Sequence, residues 1–396
     1  MSIVERVERA AWDPGLVEAL RRASWNAWRA VRRVLSETPL EQLAREVREK
    51  KKEVIENLDR YVDEALASLR RVGARAYYAS TREEAREIVA GIVGSGKTVV
   101  FSKTMTGEEL GLRELLEERG NRVYETDLGQ LLVQLGGGKP MHIIAPAVHL
   151  TREAAARLVR EKLGADIPED AGAEEIVDAV RRLLRRIITE ADVGVSGANA
   201  LAADTGSLVI VENEGNARLV TGLPPVHIAV VGVEKIMPTL LDAVKAAVVQ
   251  SGYAGLYPPT YINVISGPSS TADIEHHRVQ GAQGPRELHA VLVDNGRRRA
   301  ARDPVLVEAL RCIRCGRCLF ECPVWTRAGG HWGGPVYSGP MGVLWTAITG
   351  SRREAWELAF LCTGCRACDQ ACPMAIPLSA AIRSLRAEAA SGILAG

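Results

Sequence analysis

Two runs of four cysteines carry the clearest chemistry in this sequence. Both obey the spacing C-x2-C-x2-C-x3-C-P, and together they use all eight cysteines of the chain. Four thiolates on such a tight turn suit a compact cluster of iron and sulfide. A proline follows each run, and its fixed φ and missing N–H end the loop. The first run comprises Cys312, Cys315, Cys318 and Cys322, and the second comprises Cys362, Cys365, Cys368 and Cys372.

The order of the two runs predicts two [4Fe-4S] clusters with crossed ligation. In two-cluster ferredoxins the fourth cysteine of each run ligates the other cluster. The expected ligands of cluster 1 are Cys312, Cys315, Cys318 and Cys372. The expected ligands of cluster 2 are Cys322, Cys362, Cys365 and Cys368.

Structural zinc and disulfide bonds are the alternative uses of so many cysteines. Paired C-x2-C motifs also bind zinc, but zinc sites usually take two ligands from each of two knuckles. Disulfides suit secreted proteins, and the N-terminus lacks the apolar core of a secretory signal. The spacing therefore favours iron and sulfide over zinc, and zinc over disulfides.

The segment between the two runs is predicted to be largely helical. Residues 341–360 carry an apolar stripe at helical spacing, formed by Leu344, Ile348, Trp356 and Phe360. With the two cysteine runs, this insert resembles the α-helical ferredoxin module in the iron-sulfur subunits of succinate dehydrogenases, heterodisulfide reductases and glycolate oxidases. The resemblance implies a module that relays electrons between other redox centres.

Length and composition narrow the possible classes of protein. The 396 residues are enough for more than one domain, and a hydrophobic content of 47% supports a buried core. A net charge of +1 gives no reason to expect nucleic acid as a partner. No run approaches about 18 apolar residues, so no transmembrane segment is predicted. The absence of a signal-peptide pattern predicts a cytoplasmic protein.

We predict three regions along the chain, namely an N-terminal helical arm, an α/β domain and a cluster-binding domain, at residues 1–73, 74–300 and 301–396. Trp12, Trp25 and Trp28 are the expected apolar anchors of the arm. Strand-like and helix-like segments alternate in the α/β domain, and several strands are continuously apolar, as in a sheet covered on both faces. The predicted strands are 99–102, 122–125, 143–145, 193–196, 207–212, 226–231, 261–265 and 290–293. The predicted helices are 81–93, 107–119, 151–163, 173–189 and 238–250.

One nucleotide-binding motif is flanked by predicted elements in the wrong order. Residues 91–98 satisfy the P-loop expression G-x4-G-K-[ST], but a working P-loop needs a strand before it and a helix after it. Here a predicted helix precedes the motif and a predicted strand follows. Gly94 and Gly96 are better explained as a helix stop and a turn. No G-x-G-x-x-G fingerprint follows a strand either.

Ordered motifs along the α/β domain resemble those of one known family. They include VFSKTMTGEELGL at 100–112, ETDLG at 125–129, HIIAPAVHLTRE at 142–153, GVSGAN at 194–199, DTGS at 204–207, NEGNAR at 213–218 and GPSSTADIE at 267–275. The chain resembles the LUD (lactate utilisation) domain family. With its twin-cluster tail it is similar to the LutB/LldF type of lactate-utilisation iron-sulfur protein.

This resemblance implies both a fold and a function. The fold would be like that of the NagB/RpiA/CoA-transferase superfamily. The function would be that of an electron-transfer subunit, non-catalytic or co-catalytic, in a complex that oxidises L-lactate or a similar 2-hydroxy acid to pyruvate. Its two partners would be a cysteine-rich CCG-domain subunit and a shorter LUD-domain subunit.

A substrate site for a 2-hydroxy acid needs a cation for the carboxylate and a base for the hydroxyl proton. Lys103 and Arg218 are the candidate anchors. Asp204, Glu214 and His227 are the candidate proton-transfer groups.

Each candidate also has a purely structural explanation. Lys103 could pair with Glu108 or Glu109, and Arg218 could pair with the acidic loop before it. His227 precedes an apolar strand and could be an ordinary core histidine.

Two further segments could act on anions or on the clusters. Residues 267–275 have Ser, Thr and acidic residues at cap-like spacing, and if they open a helix their amides could hold an anion. An ordinary helix cap is the simpler explanation. His331 lies beside the first cysteine run in sequence and could tune a cluster by hydrogen bonding.

Three other functions remain open from the sequence. The LUD domain could itself bind and oxidise the 2-hydroxy acid, although no flavin or nicotinamide signature is present. The chain could be a carrier like heterodisulfide reductase, which leaves the LUD motifs unexplained. It could also transfer acyl groups or CoA with Glu214 as nucleophile, an idea that rests on fold analogy.

Overall fold

Helices and strands alternate through the middle of the chain, and both ends are helical. The computed structural model describes residues 2–394. Its α helices are α1 (Ile3–Ala11), α2 (Pro14–Glu37), α3 (Leu40–Glu56), α4 (Leu58–Arg71), α5 (Arg82–Val93), α6 (Met105–Leu110), α7 (Leu112–Glu118), α8 (Leu128–Gly136), α9 (Arg152–Leu163), α10 (Ala173–Thr189), α11 (Asn216–Gly222), α12 (Leu240–Tyr253), α13 (Arg297–Ala301), α14 (Arg317–Phe320), α15 (Trp325–Ala328), α16 (Gly339–Thr349), α17 (Arg352–Ala359), α18 (Ala367–Ala371) and α19 (Leu378–Leu394). Its strands are β1 (Arg75–Ala79), β2 (Thr98–Phe101), β3 (Arg122–Glu125), β4 (Val193–Ser196), β5 (Ala200–Ala202), β6 (Ser207–Glu212), β7 (Val226–Gly232), β8 (Ile236–Met237), β9 (Tyr261–Ile265), β10 (Ser270–Thr271), β11 (Val279–Gln280) and β12 (Glu287–Val293).

Six strands form a parallel sheet in the order β1-β12-β7-β4-β2-β3. Successive residues of β7 point to opposite faces of the sheet. Ile228 and Val230 pack with α5 and α7 on one face, and Ala229 and Val231 pack with α4 on the other. The sheet is therefore covered on both faces, which explains why its strands lack polar alternation. The predicted α/β class is confirmed.

A smaller sheet and the two ends of the chain share a second core. The smaller sheet has the order β8-β5-β6-β9 and packs against α12. Helices α1 and α2 pack against α15, and α2 also contacts α14, so the N-terminal arm covers the cysteine-rich region. The buried anchors are aliphatic side chains such as Leu20 and Val34. Of the predicted tryptophans, Trp12 is 81% exposed and Trp25 is 58% exposed, whereas Trp28 is half-buried. No helix in the described part of the chain is long and apolar enough to cross a membrane.

Two predicted helices are interrupted at glycines. The helix expected at 107–119 is two helices, α6 and α7, which meet at Gly111 in the left-handed conformation (φ 63°). The helix expected at 341–360 is also two helices, α16 and α17, separated at Gly350. Phe360 is 51% exposed and does not belong to the predicted apolar stripe. At Gly111 the absence of a Cβ permits the left-handed backbone that ends α6.

Two other predicted elements are wrong. Residues 143–145 form no strand, because the backbone around them pairs within its own loop, where Met141 N donates to Pro146 O at 2.9 Å. Residues 267–275 open no helix, because Ser270 and Thr271 pair as β10 with β11 instead. The anion site that depended on this helix is therefore absent from the segment.

The sequence also left one strand of the main sheet unpredicted. Strand β1 occupies the edge position beside β12, with Arg75 opposite His289. Around the P-loop motif, by contrast, the predicted order is confirmed. Helix α5 ends before Gly94, and β2 begins at Thr98.

Candidate functional site

The structure brings the cysteine thiols together across the two runs. Cys312, Cys315 and Cys318 line one cavity together with Cys372 from the second run. Burial raises the pKa of Cys315, and charge on Cys372 and Cys312 raises it further. Burial also raises the pKa of Cys372 to about 11, with Cys312 acting in the same direction. The four cysteines expected to ligate cluster 1 therefore line the same cavity.

The remaining thiols form the second set. Burial raises the pKa of Cys322 to about 12, and charge on Cys362 and Cys365 acts in the same direction. Cys322 and Cys362 likewise add to the effect of burial on the pKa of Cys368. The fourth thiol of the first run thus lies with the second run. Among the described residues, no group of three or more His, Cys, Asp or Glu side chains is placed to hold a single metal ion.

The two cysteine loops share one backbone conformation. The second residue after the first cysteine is left-handed in both, Arg314 with φ 62° and Gly364 with φ 71°. The fourth residue is also left-handed in both, Gly316 with φ 75° and Arg366 with φ 65°. In each loop the N–H of the second residue donates to the first thiol at 3.4 Å, from Arg314 to Cys312 in one case. Left-handed arginine is strained, so surrounding contacts must hold each loop in this form.

The two thiol sets differ in exposure. Residues 313–317 of the first loop are all buried. In the second loop Cys365 is exposed, as are Thr363 and Arg366 on either side. The first loop is therefore buried at residues 313–317, and Cys365 of the second loop is the exposed thiol among the eight.

A pocket opens at the carboxyl edge of the parallel sheet, the edge where ligands bind in open α/β folds. We call it the carboxyl-edge pocket. Lys103 follows β2, Asp127 follows β3 and Asn199 follows β4, and these three strands are neighbours. Ile143 and Arg314 line both this pocket and the cavity of the first thiol set. The pocket and the cavity therefore share a wall.

Lys103 points its charge toward this pocket without a fixed partner. The predicted ion pairs are wrong, because Glu108 accepts from Gln130 at 2.9 Å and Glu109 pairs with Arg297 at 2.8 Å. Within residues 2–394, the Lys103 ammonium makes no ion pair or side-chain hydrogen bond. Burial lowers the pKa of Lys103, and the charges of Asp127, Glu214, Glu125 and Glu108 act in the opposite direction, that of Asp127 most strongly.

Glu214 lies at the mouth of the same pocket. Its carboxylate accepts a hydrogen bond from the Leu128 N–H at 3.2 Å. Burial of the carboxylate and the charge of Asp127 raise the pKa of Glu214 to about 7. Glu214 and Lys103 are the two predicted site residues that the structure brings together.

The other predicted site residues lie elsewhere. Arg218 lines a neighbouring cleft, pairs with Glu212 at 3.1 Å and lies over the Tyr261 ring. His227 is buried with its Nε2 2.7 Å from Ser196 Oγ. Burial lowers the pKa of His227 to about 3, so this histidine is neutral in the core.

Asp204 and His331 also lie outside the pocket. Asp204 is exposed, and its backbone oxygen accepts from Arg71 at 2.7 Å. His331 is half-buried, and its backbone oxygen accepts from Arg6 at 3.3 Å. In the described residues His331 makes no hydrogen bond to a cysteine.

A buried ionic network, unpredicted from sequence, joins the sheet to the first cysteine loop. Arg297 is fully buried and pairs with both Glu109 and Glu234. Glu234 also accepts from Arg314 at 3.0 Å. Tyr337 adds its hydroxyl to Glu109 at 3.3 Å. These side chains come from distant parts of the sequence, so no local spacing marks them.

Family comparisons bear on both regions of this site. Residues 62–293 match the LUD domain family, which is more than half of the chain. The chain belongs to the LUD domain family. Residues 308–376 match the 4Fe-4S dicluster domain family, so the cysteine-rich region following the LUD domain is an iron-sulfur region.

Three curated relatives are similar in sequence to most of this chain. "Lactate utilization protein B" of Bacillus subtilis (strain 168) is 36% identical over 359 residues, which cover 90% of this chain and 70% of that protein. The protein of the same name from Bacillus velezensis is 38% identical over 330 residues, covering 82% and 67%. "Uncharacterized electron transport protein YkgF" of Escherichia coli (strain K12) is 36% identical over 346 residues, covering 86% and 70%.

One solved structure also matches part of the chain. It is the crystal structure of a DUF162 family protein from Deinococcus radiodurans, with 16% sequence identity and a TM-score of 0.35. The match covers 60% of this chain and 98% of that one.

Proposed function

We propose that this LUD-domain chain is an iron-sulfur electron-transfer protein of lactate utilisation and that it carries two [4Fe-4S] clusters. The observation that carries the proposal is the grouping of the eight thiols into two sets, each with one thiol from the other run. Such crossed grouping is typical of two-cluster ferredoxins. The names of the curated relatives support the link to lactate.

The thiols of both sets fit such clusters, which pass single electrons when bound. Cys312, Cys315, Cys318 and Cys372 would hold cluster 1, and Cys322, Cys362, Cys365 and Cys368 would hold cluster 2. The protein supplies N–H groups to the thiolates, as from Arg314 to Cys312, and buries residues 313–317 of the first loop. Donors to sulfur and exclusion of solvent both tune cluster potential.

The difference in exposure between the two sets supports a relay. A relay needs one redox site close to an electron source within the protein and another at the surface where a partner can approach. The first set shares a wall with the carboxyl-edge pocket, and the second set includes the exposed Cys365. The partners that we propose are a cysteine-rich CCG-domain subunit and a shorter LUD-domain subunit.

Crossed ligation can be tested with paired cysteine variants. Wild-type protein reconstituted anaerobically should hold roughly eight irons per chain. Cys315→Ala with Cys372→Ala should remove cluster 1 alone and leave roughly four irons, because both thiols belong to one set. Cys365→Ala with Cys372→Ala should remove both clusters. The reverse result would show that each run binds its own cluster. In that case the Cys365→Ala, Cys372→Ala variant would retain iron and the Cys315→Ala, Cys372→Ala variant would not.

A second candidate function is that the LUD domain itself binds and oxidises the 2-hydroxy acid. The observation that favours it is the shared wall between the carboxyl-edge pocket and the first thiol set. Adding L-lactate anaerobically to the oxidised protein separates the two functions. We expect no reduced-cluster EPR signal until the partner subunits are added. A signal with lactate alone would favour this second candidate.

A further inference from the structure

We propose that Lys51, on helix α3 of the N-terminal arm, raises the reduction potential of cluster 1 by placing a buried positive charge in a cavity lined by Cys312. This inference deepens the proposed function and rests on it, because it concerns the cluster held by the first thiol set. It gives the arm a role in redox chemistry as well as in packing.

Lys51 occupies a position on α3 that otherwise belongs to the apolar face of the helix. Ala44, Val47, Val54 and Ile55 are buried on the same face, and Lys51 itself is 2% exposed. Lysine is almost never fully buried unless its charge is paired. The burial of this side chain therefore calls for a counter-charge inside the protein.

The ammonium of Lys51 has no carboxylate of its own. Its Nζ donates a hydrogen bond to the backbone oxygen of Glu234. The side-chain carboxylate of Glu234 pairs with Arg297 and Arg314, so two guanidinium groups already share its charge. Within residues 2–394, Lys51 forms no ion pair.

Cys312 is the thiol that lies close to this lysine. Lys51 and Cys312 line the same small cavity, together with Arg314 and Lys235. Burial lowers the pKa of Lys51 to about 8, whereas the charges of Glu234 and Cys312 act in the opposite direction. The side chain is therefore mainly protonated at pH 7, and a thiolate of the first set is among the charges that favour the cation.

A positive charge in this cavity favours reduction of a cluster on the first thiol set. A cluster ligated by four thiolates is an anion, and it gains one more negative charge when it accepts an electron. A buried cation interacts strongly with that added charge, because the protein interior has a low dielectric constant. Net charge is one of the factors that set the potential of such clusters. The charge of Lys51 therefore makes the potential of cluster 1 more positive.

The effect should be confined to one of the two clusters. The cavity beside this lysine contains Cys312 and no cysteine of the second set. The second set has other charged neighbours, since a carboxylate oxygen of Asp369 lies 3.6 Å from the Cys368 thiol and Arg386 donates to the Cys362 backbone oxygen at 2.6 Å. A change of charge at position 51 should therefore move one potential and leave the other in place.

The test is an anaerobic redox titration of the reconstituted full-length protein, followed by low-temperature EPR. Lys51→Gln removes the charge but keeps a donor for the Glu234 backbone oxygen. It should reduce the equilibrium constant for one-electron reduction of cluster 1 roughly tenfold, which lowers that potential by about 59 mV. The potential of cluster 2 should not change. Lys51→Arg, which keeps the charge, should stay closer to the wild type.

Lys50→Gln is the matched control, because Lys50 is the preceding residue, is 43% exposed and pairs with Glu53 at 2.9 Å. Both of its potentials should equal those of the wild type. The variant with Cys315→Ala and Cys372→Ala, which should retain cluster 2 alone, assigns the signals. Adding Lys51→Gln to it should leave its single potential unchanged. Lys51→Met, whose apolar side chain suits the buried position, carries the same prediction should the glutamine variant fail to fold.

Iron content and the EPR spectrum of the wild type report the clusters before any potentials are compared. A wild type without clusters would overturn the proposed function and this inference together. Two clusters whose potentials are the same in the wild type, Lys51→Gln and Lys51→Met would overturn the role of Lys51 alone. An equal fall of both potentials would also overturn it, because a local charge beside the first set does not explain that result.

Discussion

Gly316 illustrates how one residue couples the first cysteine loop to the LUD domain. A Cβ on Gly316 would lie 2.5 Å from Cε1 of His142, a buried ring that is itself stacked on Phe320. Gly364 in the second loop has a similar φ, 71° against 75°, but a Cβ there would meet nothing within 4 Å. Both glycines therefore have a left-handed backbone, but only Gly316 is closely packed against another side chain.

Gly316→Ala should disrupt the first loop, whereas Gly364→Ala should cost only the backbone strain of roughly 1–2 kcal/mol. We expect the Gly316 variant to lose up to half of its iron and to melt at a lower temperature than the Gly364 variant. Iron analysis and thermal unfolding under anaerobic conditions measure both effects. Equal iron content and equal melting temperatures in the two variants would contradict this account of Gly316.

Glu214 predicts a pH dependence for ligand binding. Its pKa of about 7 means that the carboxyl is largely neutral below that pH and charged above it. The groups that face it are Asp127, Lys103 and Glu212, and they include just one cation. An anionic ligand should therefore bind more weakly as the pH rises from about 6 to about 8, because the charged Glu214 repels it.

Calorimetric titration of pyruvate across this range measures the effect. Glu214→Gln, which stays neutral, should bind pyruvate with nearly constant affinity. Stronger wild-type binding at the higher pH would contradict the assignment of Glu214.

The site was predictable from the sequence only where spacing or strand position marks a residue. The eight cysteines are marked by their repeated spacing, and Lys103 is marked by its place at the end of a strand. Arg297, Glu234 and Arg314 were not predictable, because their ion pairs join residues far apart in the chain. Asp204 shared a family motif with its neighbours, yet its side chain lies outside the pocket.

At the scale of elements, the buried ionic network fixes the end of the sheet against the cluster region. Arg297 opens α13 after β12, Glu234 follows β7 and Glu109 belongs to α6. Arg314 extends the network into the first cysteine loop. Removing one partner would leave the others charged and buried.

Arg297→Ala should therefore lower the free energy of unfolding by about 3–5 kcal/mol. The matched control is Arg75→Ala, which breaks the exposed ion pair with Glu287 and should cost about 1 kcal/mol or less. The midpoints of urea unfolding, measured on both anaerobic variants and the wild type, test the difference. Similar midpoints for the two variants would indicate that the buried network contributes little.

The elements themselves were predictable where their pattern is long and uninterrupted. Helix α10 and strands β3, β4, β6 and β9 have the predicted bounds. The helix expected at 341–360 failed because Gly350 ends α16, although apolar side chains recur on both sides of it. Residues 143–145 look like a strand, but their loop is held by the cluster region, where Trp325 donates to Met141 O at 3.1 Å.

At the scale of the whole molecule, the cysteine-rich region packs against other parts of the chain. It shares one hydrophobic core with the N-terminal arm and the smaller sheet. Arg48 of the arm donates to the backbone oxygen of Pro373, beside the second run, at 2.8 Å. The arm therefore helps to hold the two cysteine runs against each other, an arrangement that composition and motifs did not reveal.

The central claim is that the two runs together hold two [4Fe-4S] clusters, one at the buried first loop and one that includes the exposed Cys365. Anaerobic EPR of the dithionite-reduced protein tests it most directly. We predict the signals of two nearby, interacting [4Fe-4S]+ clusters, supported by roughly eight irons and matching acid-labile sulfide per chain. Zinc in place of iron, or the signal of a single isolated cluster in fully reconstituted protein, would contradict the claim.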